Sequence, residues 1–266
     1  MSQYLAPMTV SPNDRPAMLV TGGAKRIGAA IARAFGAAGW HVVIHYGRSR
    51  EQAEALVAQL PSAEIVACDL DDWDQGPAMV EELARRLPDW RVLINCAGVF
   101  DIDTAQDLDP ATFMPAMRVN AATPARLGQA FLAHARANGG RRLIHITDQK
   151  RLNPNPDFFS YTMSKHALAA TVPMLSMART DARDRVYGIA PGAILASHDQ
   201  SEAEAEVSHR MNLLHRRATA QDVAGAALFL AGGWLASGET LYVDSGQHLT
   251  AQPRDVLFLA RHGDAA

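Results

Sequence analysis

Seven short apolar runs recur along the chain: AMLV (17–20), HVVIHY (41–46), EIVACDL (64–70), RVLIN (91–95), RLIHIT (142–147), RVYGIA (185–190) and TLYVD (240–244). Stretches such as AAIARAFGAAG, REQAEALVAQL and GPAMVEELARRL lie between them, with apolar residues at i, i+3 and i+4. The runs are continuous rather than alternating, which implies strands buried on both faces. Strands that alternate with helices then predict a parallel sheet sandwiched between two helical layers. The expectation is a doubly wound α/β fold with a seven-stranded parallel sheet and helices on both faces. No repeat, linker or composition break marks a second domain. The reading is therefore one domain over 17–250, an N-terminal extension over 1–16 and a C-terminal tail over 251–266.

Composition excludes several function classes. With 266 residues and 48% hydrophobic content the chain can bury a full core. A net charge of -3 without a dense Lys/Arg run leaves no footprint for nucleic acid. No apolar stretch reaches the roughly 18 residues that a membrane span needs, and the start lacks a secretory pattern, so a cytoplasmic protein is expected. Cys68 and Cys96 sit in strand-like contexts and read as small core residues, not as a disulfide or metal site. The helical methionines read as core filler.

In such sheets ligands bind beyond the carboxyl ends of the strands. After the first strand comes VTGGAKRIGAAIARAF. Gly22, Gly23 and Gly28 let the backbone approach a ligand, and the following helix offers free N–H groups to a phosphate. The spacing is not G-x-G-x-x-G. It does fit G-x-x-x-x-G, but Ala29 and Ala30 stand where a P-loop needs Lys and Ser/Thr, which disfavours an ATPase. In HVVIHYGRSRE the second strand's end carries His45, Tyr46, Arg48 and Ser49, and no carboxylate sits at that end to hold a ribose 2′-hydroxyl. Arg48 can fork onto a 2′-phosphate, Ser49 can donate to it, and Lys25 and Arg26 lie near in the Gly loop. These features predict NADP(H) over NAD(H). After the third strand Asp69 could accept an adenine amino group, or serve as a turn former. After the fourth, Asn95, Ala97 and Gly98 of NCAG would let a ribose lie against backbone.

Tyr161 and Lys165 in YTMSK are i, i+4 on a helix and share a face. A cation within roughly 4–6 Å lowers a phenol's pKa from about 10, which makes Tyr161 a plausible general acid.

From TGGAKRIG through NCAG, MRVN, YTMSK and IAPG to ASGETLYVDSG, the chain resembles the short-chain dehydrogenase/reductase family, a group of Rossmann-fold enzymes. The resemblance implies that Tyr161 is the proton donor. Lys165 would hold the nicotinamide ribose and depress the tyrosine pKa, and Asn120 would support a proton-relaying water. Pro191 and Gly192 would border the nicotinamide. The cofactor set is completed by Gly22, Lys25, Arg26, Ile27, His45, Tyr46, Arg48, Ser49, Asp69, Leu70, Asn95, Ala97 and Gly98. The family's catalytic serine, thirteen residues before the tyrosine in many members, is Asp148 here. Arg26 replaces the middle glycine of the family's T-G-x-x-x-G-x-G loop. Together with HYGRS and Asp148 this is similar to the pteridine reductases and dihydromonapterin reductases. In those enzymes an aromatic residue at the place of Phe100 stacks on the pterin, and substrate contacts would fall to Phe100, Arg26, Asp148 and Tyr161. Without the resemblance Phe100 reads as an ordinary core aromatic and Asp148 as a cap for the NPNP loop. The resemblance also implies a homotetramer.

Reducing a pterin C=N bond needs a proton at ring nitrogen, which a buried carboxyl with a raised pKa could deliver or relay. A 3-oxoacyl thioester or other carbonyl reductase, with Asp148 only orienting, is the alternative enzyme. A non-catalytic NADP(H)-binding sensor is the alternative from another class. The polar segment 193–218 follows the sixth strand, where the family keeps its substrate loop, and suits a lid. FLARHGD imitates a histidine-phosphatase loop but lies too late in the chain. His145 and His166 read as packed residues, and no metal-ligand spacing exists.

Overall fold

The computed structural model describes residues 15–197 and 200–262. The N-terminal extension thus lies outside the described residues except at its end, as do two residues of the 193–218 segment and the last four of the chain.

Seven strands form one parallel sheet in the order β3-β2-β1-β4-β5-β6-β7. They are β1 (Ala17–Val20), β2 (His41–Tyr46), β3 (Ala63–Ala67), β4 (Trp90–Asn95), β5 (Arg142–Ile146), β6 (Arg185–Pro191) and β7 (Thr240–Val243). Alternate residues of the central strands feed two separate cores. Met18, Val20, Val92, Ile94, Ile144 and Tyr187 pack on one face, and Leu19, Val43, Leu93, Leu143 and Val186 on the other. This two-sided burial explains the unbroken apolar runs. The first face is covered by α1 (Arg26–Ala37) and α8 (Ala220–Ala231), and on the outer side of the order α2 (Arg50–Val57) flanks β2 and β3. The second is covered by α3 (Gln75–Arg86), α5 (Thr123–His134) and α6 (Phe159–Ala178). The strand order reverses between β1 and β4, where the connections run to opposite sides and leave a crevice.

Four elements depart from the sequence reading. β3 stops at Ala67, because Asp69 to Asp72 turn away through side-chain bonds to backbone N–H groups. Between α4 (Pro110–Met117) and α5, Arg118–Ala122 forms a π-helical turn, an irregularity frequent at functional sites. The 193–218 segment carries α7 (Glu202–Ser208), begun by a capping box in which Ser201 and Glu204 exchange bonds. The expected tail carries α9 (Val256–His262), which packs against α7. The methionines also divide. Met18 and Met79 are buried, whereas Met114, Met163, Met174 and Met177 are exposed, since their positions on α4 and α6 face away from the sheet.

Candidate active site

The crevice is a cleft of about 460 Å³ running from the Gly loop to the C-terminal helix. Its walls include Gly22, Lys25, Arg26, Ile27, Tyr46, Ser49, Ala97, Gly98, Phe100, Asp148, Tyr161, Lys165, Pro191 and Gly192, so most of the residues singled out in the sequence converge there.

At the Gly-loop end the backbone forms a cradle that side chains would fill. Gly22 has φ +62°, and a Cβ there would lie 2.9 Å from Ala97 Cα. At Gly28 a Cβ would lie 2.3 Å from the Gly22 carbonyl oxygen. The N-terminus of α1 lacks a side-chain cap, and the exposed cations Lys25 and Arg26 flank it, an arrangement suited to a pyrophosphate. Arg26 has φ +53°, a left-handed conformation that glycine adopts more readily than a residue with a side chain. Thr21, unnoticed in the sequence, locks this loop to the fourth strand, its hydroxyl accepting from the N–H groups of Cys96 and Ala97 at 2.9 and 3.1 Å.

Five expected cofactor residues, His45, Arg48, Asp69, Leu70 and Asn95, are not part of the cleft lining. His45 is buried in the sheet end, where its Nδ1 accepts from Gly22 N–H at 3.1 Å and its Nε2 donates to the Cys68 carbonyl at 3.0 Å. Burial lowers its pKa to about 4, so it is a neutral strut behind the Gly loop. Asn95 is also buried behind the cleft, its amide donating to the Pro124 carbonyl at 3.1 Å and facing His145 Nδ1 at 3.1 Å. Asp69 is outside the cleft lining, its Oδ1 taken by the Asp71 N–H at 2.9 Å. Leu70 is buried, and its carbonyl accepts from Thr123. Arg48 is exposed and has no hydrogen-bond or ion-pair partner among the described residues, which leaves its guanidinium available.

At the other end, β5 delivers Asp148 and α6 delivers Tyr161 and Lys165. The Tyr161 hydroxyl donates to Asp148 Oδ2 at 2.9 Å, while Asp148 Oδ1 accepts the Lys150 N–H at 2.8 Å. The aspartate thus caps the turn Gln149–Arg151 with one oxygen and holds the tyrosine with the other. Burial raises the Asp148 pKa from the ordinary carboxylate range. Burial, and next the carboxylate of Asp148, push the Tyr161 phenol well above 10. This reverses the expected depression. The Lys165 ammonium lies 5.6 Å from the Tyr161 ring centroid, and burial lowers its own pKa. Lys165 Nζ donates to the Ile146 carbonyl at 2.8 Å.

Asn120 sits in the π-helical turn, fully buried. Its Oδ1 accepts from Val99 N–H at 2.8 Å, and its Nδ2 donates to the Val99 carbonyl at 2.9 Å and to Ser164 Oγ at 3.0 Å. It pins the loop after β4 to α6. Phe100 stacks on Phe158 at 4.2 Å and meets Tyr161 edge-on at 4.6 Å, so a second aromatic already covers one of its faces.

Other groups had no sequence signal or a misleading one. Cys96 lines the cleft, partly buried, and its thiol is pushed up to about 11; Cys68 is buried, and both are free thiols. His145 is fully buried, whereas His166 is exposed, its Nδ1 bonded to the Thr162 carbonyl at 2.9 Å. Gln247 accepts from Ala193 N–H at 2.9 Å and closes the wall beside Gly192. Lys150 and Asp255, both lining the cleft, form a 2.6 Å ion pair. Lys150 follows Asp148 so closely that its place after the strand could have marked it. Asp255 lies in the presumed tail, which carried no such mark. Among the described residues no group of three His, Cys, Asp or Glu side chains could hold a metal, and no helix is long and apolar enough to cross a membrane.

A family profile described as enoyl-(acyl carrier protein) reductase matches residues 22–248. The 7alpha-hydroxysteroid dehydrogenase of Escherichia coli (strain K12) is 30% identical over 243 residues, covering 88% of this chain and 94% of that protein. Among solved structures, FolM alternative dihydrofolate reductase 1 from Brucella canis, complexed with NADP, superposes with TM-score 0.83 at 30% identity, covering 90% of this chain and 96% of that one. The angucycline C-6 ketoreductase LanV with bound NADP gives 0.78 at 27% identity, covering 88% and 96%. The chain belongs to the short-chain dehydrogenase/reductase family.

Proposed function

We propose that the protein is an NADPH-dependent reductase of a pteridine, a dihydropterin or dihydrofolate-like compound. The observation that carries this reading is the carboxyl of Asp148 hydrogen-bonded to Tyr161 where the family has a serine. The FolM neighbour, a dihydrofolate reductase by name, supports it. NADPH, when bound, supplies hydride to the substrate carbon. The residues of the chain do the rest. Gly22 and Gly28 would admit the pyrophosphate to the N-terminus of α1, and Arg48 with Ser49 would hold the 2′-phosphate. Pro191 and Gly192 would border the nicotinamide, and Lys165 would hold its ribose. Tyr161 stays a neutral phenol at neutral pH and can release its proton only as another group takes up charge. Asp148 shares that proton across the 2.9 Å bond, and its raised pKa lets the carboxyl deliver it toward a ring nitrogen. Asn120 holds the two walls of the site in register, and Phe100, part of the cleft lining, is the aromatic nearest Tyr161.

A carbonyl reductase is the second reading. The Tyr161, Lys165 and Asn120 set suffices to polarise a carbonyl, and the ketoreductase LanV is a neighbour. Steady-state NADPH oxidation with dihydrobiopterin, dihydrofolate and an acetoacetyl thioester in parallel decides between them. Turnover confined to the thioester overturns the pteridine assignment, and no turnover with any substrate would favour a sensor. The same family kinship leads us to propose a cytoplasmic homotetramer, its mass to be read by light scattering.

A further inference from the structure

The substrate end of the cleft carries charge that the proposed reduction does not use. Lys150 is buried, lines the cleft, and follows Asp148 by one intervening residue. Its backbone N–H is the group that Asp148 Oδ1 accepts. Its ammonium lies 5.0 Å from the Phe158 ring centroid and 2.6 Å from Asp255 Oδ2. A cation so enclosed needs its partner, because leaving it buried and unpaired is costly. Asp255 is itself fixed in place. Its N–H donates to Asp157 Oδ2 at 2.8 Å, its Oδ1 accepts from Leu257 N–H at 3.0 Å, and the neighbouring Arg254 pairs with Asp157 at 2.8 Å. The start of α9 is thereby clamped onto the loop between β5 and α6, and Asp255, Val256 and Leu257 become cleft wall.

We propose that Lys150 is a positioning residue for the Asp148–Tyr161 pair, and that the C-terminal segment, through Asp255, sets how much positive charge Lys150 presents to that pair. The inference rests on the reading of Asp148 and Tyr161 as the proton-handling groups. The groups facing Asp148 are Lys150 on its own turn and Tyr161 and Lys165 from α6, with Cys96 after β4 beside Tyr161 and Lys165, and with Asp255 from the start of α9 and Asp157 from the loop before α6 behind Lys150. His145 lies beneath on β5, where burial and Lys165 lower its pKa to about 3, so it stays neutral. Cys96 is likewise a neutral thiol near pH 7. The charges that count are therefore two lysines and three carboxylates, with the Arg254 guanidinium paired to Asp157. Lys150 opposes the effect of burial on Asp148, while Asp255 adds to the rise of the Tyr161 phenol. Removing Lys150 and removing the charge of Asp255 must then act in opposite directions on one carboxyl group.

The test reads the Asp148 carboxyl by carbon-13 NMR of aspartate-labelled free protein, the signal being assigned by its loss in Asp148→Asn. In Lys150→Met the apparent acid constant of Asp148 should fall about tenfold, and in Asp255→Asn it should rise, with Lys150→Arg close to the parent. The pH profile of kcat should move in the same two directions with whichever substrate is turned over. Displacement of both variants in one direction, or in neither, overturns the proposal. Because the carboxyl is read without substrate, failure of dihydrobiopterin turnover would sink the pteridine assignment alone. Loss of fold in Lys150→Met is distinguished by circular dichroism, and the Asp255→Asn and Lys150→Arg arms then decide.

Discussion

The backbone N–H of Gly22 donates to the Nδ1 of His45 at 3.1 Å, so the Gly loop leans on an imidazole that must stay uncharged. Burial holds that ring at about 4 against an ordinary 6.5. As pH falls below 6.5 the unfolded chain takes up the proton first. Stability contributed by His45 is therefore full above 6.5 and is lost as pH falls toward 4, about 3 kcal/mol in all. Urea unfolding across that window should show the decline, and His45→Gln should flatten it. An unchanged slope in the variant would remove His45 as the cause.

Asp148→Asn separates stability from chemistry. The raised carboxyl of Asp148 contributes stability while protonated and loses it as pH rises through its folded value, so an amide should leave the protein more heat-resistant on the alkaline side. With the proton-sharing carboxyl gone, kcat for the pteridine should drop about 100-fold or more. Melting curves and initial rates on one preparation check both, and unchanged kcat would reduce Asp148 to a turn cap.

Gly28→Ala places a methyl 2.3 Å from the Gly22 carbonyl oxygen, a backbone atom with little room to retreat. The expected cost is about 3 kcal/mol, together with a weaker NADPH site. The urea midpoint and fluorescence titration measure the two, and a variant with parental values of both would mean that the loop is less tightly packed than described.

Arg48→Ala should leave the urea midpoint within about 0.5 kcal/mol of the parent, since no partner is lost. NADPH affinity should weaken by about tenfold or more while NADH affinity stays level. Equal weakening of both would show that Arg48 does not read the 2′-phosphate.

Much of this was legible in the sequence. Val43 and Ile44 are both buried although they point to opposite sides of the sheet, and such unbroken runs announce a sheet covered twice. Tyr161 and Lys165 were legible because helical period alone puts them on one face. His45 and Asn95 misled, because a polar residue at a strand's end reads the same whether it turns toward a ligand or back into the sheet, and only the partners Gly22 and Pro124 decide. Lys150 and Asp255 meet through tertiary folding, and neither carries a local pattern that predicts the other.

Arg26 reaches from the start of α1 to the Ala196 carbonyl, 3.2 Å away, in the segment that leads into α7. That makes it a strut between two lips of one cleft. Because the bond is exposed, breaking it exchanges one partner for water at little net cost. A guest that offers phosphate oxygens can take over the same guanidinium. The residue that stands where the family has a glycine thus joins the two lips by a bond that is cheap to open.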